Sequence, residues 1–261
     1  MDPIIRMQNL RKSYGQKQVL HGIDLDIQPG QVVGYIGPNG AGKSTTVRIL
    51  AGLDGHFEGE VFVKNHSVRN DPIAIKRIIG YIPEQTELYE VLTPMEFLLA
   101  MGRLHDMPDP LTRERAEQML GFFDLSKQLH QRMDTFSKGM RQKVLLVSGL
   151  LHNPEIIFMD EPLSGLDANA VILVKEIISR LAEQGKTIIY CSHNMDTVEK
   201  ISDRIVLIAE GRVIADGTFQ DLKRNESDTL EKLFSQLTSQ ADFDQLAGQF
   251  TKAFSPNPPH E

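Results

Sequence analysis

The stretch Gly37-Pro38-Asn39-Gly40-Ala41-Gly42-Lys43-Ser44-Thr45 has residue types and spacing suited to holding a nucleoside triphosphate. It fits the G-x-x-x-x-G-K-[ST] pattern, whose small residues let backbone N–H groups close around phosphate oxygens. Lys43 can reach the β- and γ-phosphates, and the Ser44 hydroxyl can ligate Mg²⁺. A second candidate lies far downstream, where the apolar run Ile156-Ile157-Phe158-Met159 ends in Asp160-Glu161. A strand buried on both faces carries charge only where its tip meets a site. Asp160 is therefore assigned to Mg²⁺, directly or through water, and Glu161 to orienting and polarising an attacking water.

The elements around these residues fit that use. Gln31 to Ile36 is a short apolar run rich in β-branched residues, and Thr46 to Gly52 is helix-like and closed by glycine. The phosphate-loop pattern thus sits on a strand-to-helix turn, where the helix N-terminus adds partial positive charge. Residues 4–33 read as strands and turns, with Ile23, Leu25 and Ile27 alternating with polar neighbours. Gly59 to Val63 and Ile78 to Ile82 read as further strands.

From Thr93 to Leu129 the texture is helical. Thr93-Pro94-Met95-Glu96 supplies an N-cap, a proline at the first helical position and an acidic third residue. Met107 to Pro110 reads as a loop, and Thr112 as the cap of the next helix. The α/β pattern returns at residue 155. A strand at 156–159 is followed by a helix over Val171 to Glu183, and a strand over Thr187 to Cys191 by a short helix over Asp196 to Ile201. A strand over Arg204 to Ala209 then leads through a turn at Glu210-Gly211-Arg212 into a hairpin partner. Alternating strands and helices imply a mainly parallel sheet with its ligand at the strands' C-terminal edge. Leu230, Leu233, Phe234 and Leu237 mark one helix face, Phe243, Leu246, Phe250 and Phe254 another, and Ser255 to Glu261 reads as a disordered end.

Composition narrows the function classes. At 261 residues the chain has room for one large domain or two small ones, with ordinary apolar (41%) and charged (24%) fractions. A net charge of −7 speaks against a nucleic-acid partner. The lone Cys191, within an apolar strand, reads as a buried thiol; no intrachain disulfide is possible, which suits a reducing compartment. Met1 to Arg6 lacks the pattern of a secretory signal. The longest apolar run, Val144 to Leu151, is too short to span a bilayer, so any membrane role needs a span from another chain.

Taken together, these motifs closely resemble the ATP-binding cassette family over about Ile4 to Leu237. The resemblance implies a P-loop NTPase of α/β class: a RecA-like, mainly parallel sheet with an antiparallel β subdomain and an α-helical subdomain inserted at about 86–152. Residues 238–261 would form a C-terminal extension. Phe136-Ser137-Lys138-Gly139-Met140-Arg141-Gln142 resembles the family's signature segment. By that resemblance Ser137 and the Gly139 backbone face the γ-phosphate of ATP held by a second subunit's phosphate loop. Leu163 to Asp167 resembles the D-loop that crosses such an interface, placing Asp167 near the nucleotide. His193 resembles the switch histidine, expected to hydrogen-bond the γ-phosphate and the catalytic water. Tyr14 resembles the aromatic that stacks on adenine, a buried strand tyrosine being the alternative.

The chain departs from the family pattern at two places. Lys138 and Met140 stand where the signature commonly has other residues, and Glu84 stands where a glutamine usually senses Mg²⁺, with Gln85 next to it. Either Glu84 or Gln85 is the implied metal contact. These variants look most like the exporter subgroup called ABC-2 type. The resemblance implies an ATPase using ATP and Mg²⁺ at the cytoplasmic face of a membrane. Its expected partners are a second ATPase subunit, identical or related, and an integral-membrane permease. Two other classes compete: a soluble ATPase of the same type acting on ribosomes or DNA, and a non-hydrolysing nucleotide binder. The single cassette and acidic balance oppose the first; Glu161 and His193 oppose the second.

Overall fold

The computed structural model describes residues 2–84, 88–223, 229–238, 247, 248, 250 and 251. The chain opens with β1 (Ile5–Tyr14) and β2 (Lys17–Ile27), followed by β3 (Val32–Ile36), α1 (Lys43–Leu50), β4 (Glu58–Val63) and β5 (His66–Ser67). Next come α2 (Pro72–Ile78), β6 (Ile79–Ile82), α3 (Pro94–Leu104), α4 (Asp109–Phe122) and α5 (Lys138–Leu150). The second half holds β7 (Ile156–Asp160), α6 (Ala168–Glu183), β8 (Thr187–Cys191), α7 (Met195–Ile201), β9 (Arg204–Ala209) and β10 (Arg212–Gly217). It closes with α8 (Phe219–Leu222) and α9 (Leu230–Leu237).

These strands build two sheets. The larger has the order β10-β9-β3-β8-β7-β6. Its pairs from β9 to β6 are parallel, and β10 is an antiparallel hairpin partner of β9. The smaller sheet, β2-β1-β4-β5, is antiparallel. Both match the α/β class with an antiparallel portion expected from sequence.

The central strands β3, β7 and β8 are buried throughout and mostly apolar because both their faces are covered. Ile157, Met159, Ile188, Tyr190, Ile205 and Leu207 enter one core, shared with α3, α4, α5, α6 and α7. Their neighbours Ile156, Phe158, Ile189, Cys191, Val206 and Ile208 enter another, closed by α1 and the smaller sheet. A period of two along each strand therefore divides the molecule into layers with the parallel sheet between them. Cys191 is fully buried, and burial pushes its thiol well above its ordinary range, as a strand thiol in the core requires.

Helix starts follow local chemistry. The Thr93 hydroxyl accepts from Glu96 N at 3.2 Å, and the Glu96 carboxylate accepts from Thr93 N at 2.9 Å, a reciprocal cap. Two expectations need correction. Thr112 does not cap α4: the helix begins at Asp109, behind Pro108, and the Thr112 hydroxyl donates to Pro108 O at 3.0 Å from inside its first turn. The loop read over Met107 to Pro110 is correspondingly shorter. Ile78 is not part of the strand: it ends α2, a helix not among those expected from sequence, and the strand starts at Ile79. Leu230 and Leu233 bury against the core as their spacing implies. Phe243, Leu246, Phe254 and the segment Ser255 to Glu261 lie outside the described residues.

Candidate functional site

The C-terminal ends of β3, β8, β7 and β6, four neighbours in the sheet, deliver their loops to one place. There a cleft of about 390 Å³ is lined by Asn39, Gly40, Gly42, Lys43, Ser44 and Thr45 from the loop after β3. Asp160 and Glu161 reach it from β7, His193 from the residues after β8, Glu84 from those after β6, and Lys17 and Val19 from β2. Residues separated by more than a hundred positions meet because parallel strands align their ends.

The loop owes its shape to glycine. Gly42, the residue before α1, has φ 106°, a left-handed conformation that opens the turn and frees the helix's first N–H groups. Lys43 is nearly buried, and its Nζ donates to Gly37 O at 2.7 Å and Pro38 O at 3.2 Å. Its charge thus lies across the concave side of the loop. Ala41 is buried, and the loop's end is anchored by Thr46, whose hydroxyl donates to Gly42 O at 2.9 Å.

Asp160 is 3% exposed. Burial raises its carboxyl above the ordinary range. A hydrogen bond with Ser44 and the charge of Lys43 oppose that shift, while the charges of Glu84 and Glu161 add to it. Asp160, Glu161 and Glu84 thus share the cleft with the cations Lys43 and Lys17. Glu161 has φ 48° and accepts three hydrogen bonds. Ser192 Oγ donates to Oε2 at 3.0 Å, His193 N to Oε1 at 2.8 Å, and the His193 ring nitrogen Nδ1 lies 2.8 Å from the same Oε1. These bonds fix the direction of the carboxylate. Asp160 and Glu161 are therefore not an exposed acidic turn. The His193 side chain is 78% exposed, so it is not a core histidine.

The donor set fits Mg²⁺ in a particular way. Among the described residues no group of three or more His, Cys, Asp or Glu could hold a metal unaided. The Ser44 hydroxyl with the Asp160 and Glu84 carboxylates offers hard oxygen ligands but leaves the set to be completed. That suits Mg²⁺, which is held by one or two carboxylates together with substrate phosphates. Gln85, the other implied metal contact, lies outside the described residues.

The remaining expected residues fall elsewhere. Tyr14 is 49% exposed and outside the cleft lining. It is not a buried strand tyrosine: its hydroxyl donates to Asp54 at 3.3 Å, and Lys12 Nζ stands 4.7 Å from its ring centre. Ser137 caps α5, accepting from Met140 N at 3.2 Å, and Asp167 caps α6, accepting from Ala170 N at 2.9 Å. Neither these nor Gly139 lines the cleft of its own chain. The sequence pattern does not predict Lys17 and Val19 as cleft wall or Ser192 as a brace on Glu161. Adjacency to His193 was the one available signal, for Ser192.

A profile of the family described as "ABC transporter" matches residues 20–164. The chain is 35% identical to the linearmycin resistance ATP-binding protein LnrL of Bacillus subtilis (strain 168), over 88% of this chain and 74% of that protein. It is 32% identical to the Nod factor export ATP-binding protein I of Cupriavidus metallidurans, over 95% of this chain and 85% of that one. Among solved structures it resembles the dimeric, post-hydrolysis ATP-binding cassette MJ0796 bound to ADP and Pi. That likeness has a TM-score of 0.75 and 27% identity, and it covers 82% of this chain and 98% of that one.

Proposed function

This chain belongs to the ABC transporter family, and we propose that it is the ATP-hydrolysing subunit of an exporter whose bilayer-spanning part is a separate permease. The observation that carries the reading is one cleft holding the Lys43–Ser44 loop, the buried Asp160 and the braced Glu161. ATP binds with its β- and γ-phosphates on the loop, opposite Lys43. Ser44, Asp160 and Glu84 would hold Mg²⁺, which would supply positive charge to the triphosphate oxygens. Glu161, its carboxylate aimed by Ser192 and His193, orients a water in line with the bond to the β-phosphate. As the new O–P bond forms, the bridging P–O bond breaks and its electron pair leaves on ADP. The water's proton passes to Glu161 and on to inorganic phosphate. Lys43 and the loop's N–H groups stabilise the charge that develops. His193 positions Glu161 through Oε1 and lines the cleft with an exposed ring. Tyr14, paired across the β1–β2 hairpin with the cleft residue Lys17, is the candidate adenine contact.

Ser137, Gly139 and Asp167 serve a second subunit's nucleotide in this reading, which is why they lie outside the cleft of their own chain. The chain carries both halves of a composite site, so two copies in a two-fold pair hold two complete sites. The domain spans 4–237, with its helical part at about 86–152, and 238–261 is an extension. No described helix is long and apolar enough to cross a membrane. A permease would dock on an apolar groove of about 410 Å³ that includes Leu53, Ile73, Met101 and Leu104, with Lys76 and Arg77 beside them. Ile73 and Leu104 are each at least 70% exposed. Such a complex places the chain at the cytoplasmic face of the bilayer.

Steady-state ATP hydrolysis tests the assignment. Lys43→Ala is expected to lose at least about a hundredfold in turnover, the scale on which a transition-state charge stabiliser acts. Glu161→Gln is expected to lose turnover while keeping ATP binding. Normal turnover in either variant would sink the site; copurification with ribosomes rather than detergent-solubilised membrane protein would sink the exporter reading.

A further inference from the structure

We propose that Lys138 is a positioning residue for Glu161, linking the helix end that meets one nucleotide to the carboxylate that acts on the other. This deepens the composite-site reading and rests on it. Residues 138, 139, 142 and 143 occupy one face of α5, with 138 a turn from 142 and 139 a turn from 143. All four meet the segment that follows Glu161. Lys138 Nζ donates to Ser164 Oγ at 3.0 Å, and its methylene stem lies over Gly165. Gly139 approaches so closely that a Cβ there would stand 2.5 Å from Gly165 O. The buried Gln142 donates to Pro162 O at 3.1 Å, and Lys143 pairs with Asp167 at 2.9 Å.

The segment is in turn folded onto Glu161, because Ser164 N donates to Glu161 O at 3.1 Å. Of the four residues on that face, Lys138 is the one bonded to the residue that closes this turn. Glu161 itself holds a left-handed φ of 48°, which a glutamate keeps only when its neighbours impose it. Ser137 and Gly139, the residues assigned to the partner's triphosphate, flank Lys138 in sequence. A shift of that helix end on nucleotide contact therefore reaches Ser164 through Lys138, and Glu161 through the turn. The Lys138 bond is exposed, so its value is geometric rather than stabilising.

A double-mutant cycle on the full chain tests this, using Lys138→Met, Ser164→Ala, the pair together and Lys138→Arg. Each single variant is expected to lower kcat about tenfold with KM for ATP and melting temperature unchanged, the mark of an interaction felt in the reacting state. The double variant should be no worse than the worse single one, and Lys138→Arg should recover most of the loss. ATP-dependent pairing, followed in a Glu161→Gln background, should survive Lys138→Met. Unchanged kcat, losses that multiply, or a raised KM with lost pairing would each overturn the proposal, the last by making Lys138 a direct grip on the partner's triphosphate. A wild type without ATP turnover would instead sink the underlying reading.

Discussion

Asp160 is a buried carboxylate near two others, Glu84 and Glu161, and that arrangement sets function against stability. Its carboxyl is held above the ordinary range, first by burial and then by those neighbours, so the folded chain disfavours its charged form. Acid relieves the cost: as pH falls through the raised folded value, the fold gains stability from this group, and it loses that gain as pH rises again. Asp160→Asn keeps the size and a partner for Ser44 while removing the charge. The expected outcome is a gain of about 1 kcal/mol at pH 7.5, a rise of roughly 2–4 °C in melting temperature. ATP turnover should be lost. A variant that melts lower than wild type would contradict the electrostatic account. At this scale the sequence was most legible where function is local. The loop over 37–45 and the 160–161 pair lie on contiguous residues. The braces on Glu161 were not legible, because Ser192 reaches it only after β7 and β8 align side by side.

Between elements, the junction of α3, α5 and β6 carries a feature that sequence order hides. His105, closing α3, stacks on His152, two residues past α5, with ring centres 3.6 Å apart and planes 12° from parallel. His152 Nε2 lies 2.9 Å from Ile79 O at the start of β6, so the neutral ring donates there and leaves Nδ1 unprotonated. Burial first, then the charge of His105 and those of Lys186 and Arg115, push His152 down to about 4 from 6.5. Burial also lowers His105, with Asp106 opposing. A depressed base gives stability that is present above its unfolded pKa and lost as pH falls. The window therefore runs from about 6.5 down to about 4. His152→Phe keeps a ring in the stack and removes the titration. Its melting temperature should fall less than that of wild type between pH 7 and pH 5, even if it starts lower. Parallel slopes would refute the assignment. Helix existence was readable here from caps and periodicity, as Thr93 and Glu96 illustrate. The start of α4 was not, because Pro108 precedes the helix and Thr112 turns its hydroxyl back inside it.

The phosphate-loop residues line the cleft, whereas Ser137 and Gly139, at the start of α5, lie outside its lining. Sequence order alone could not reveal this, since both motifs come from loops and helix ends that a single subunit might have brought together. If the composite site is real, Lys43→Ala and Ser137→Glu damage different halves of it. The glutamate places negative charge at the α5 N-terminus, where a partner's γ-phosphate must approach, so repulsion replaces a favourable helix end. Each variant alone should be inactive, Ser137→Glu while still binding ATP. Mixing them should restore turnover, because a mixed pair has one site built from the Ser137→Glu chain's Lys43 and the Lys43→Ala chain's Ser137. Random two-fold pairing makes half of all pairs mixed, each with one intact site of two, or about a quarter of the wild-type rate. Either substitution takes the chain's net charge from −7 to −8, so the two variants repel over long range, and the mixture should be assayed at ionic strength high enough to shorten the screening length to about 8 Å. No recovery on mixing, with both variants folded and exchanging, would mean that the nucleotide is handled within a single chain and that Ser137 plays no part in a neighbour's site.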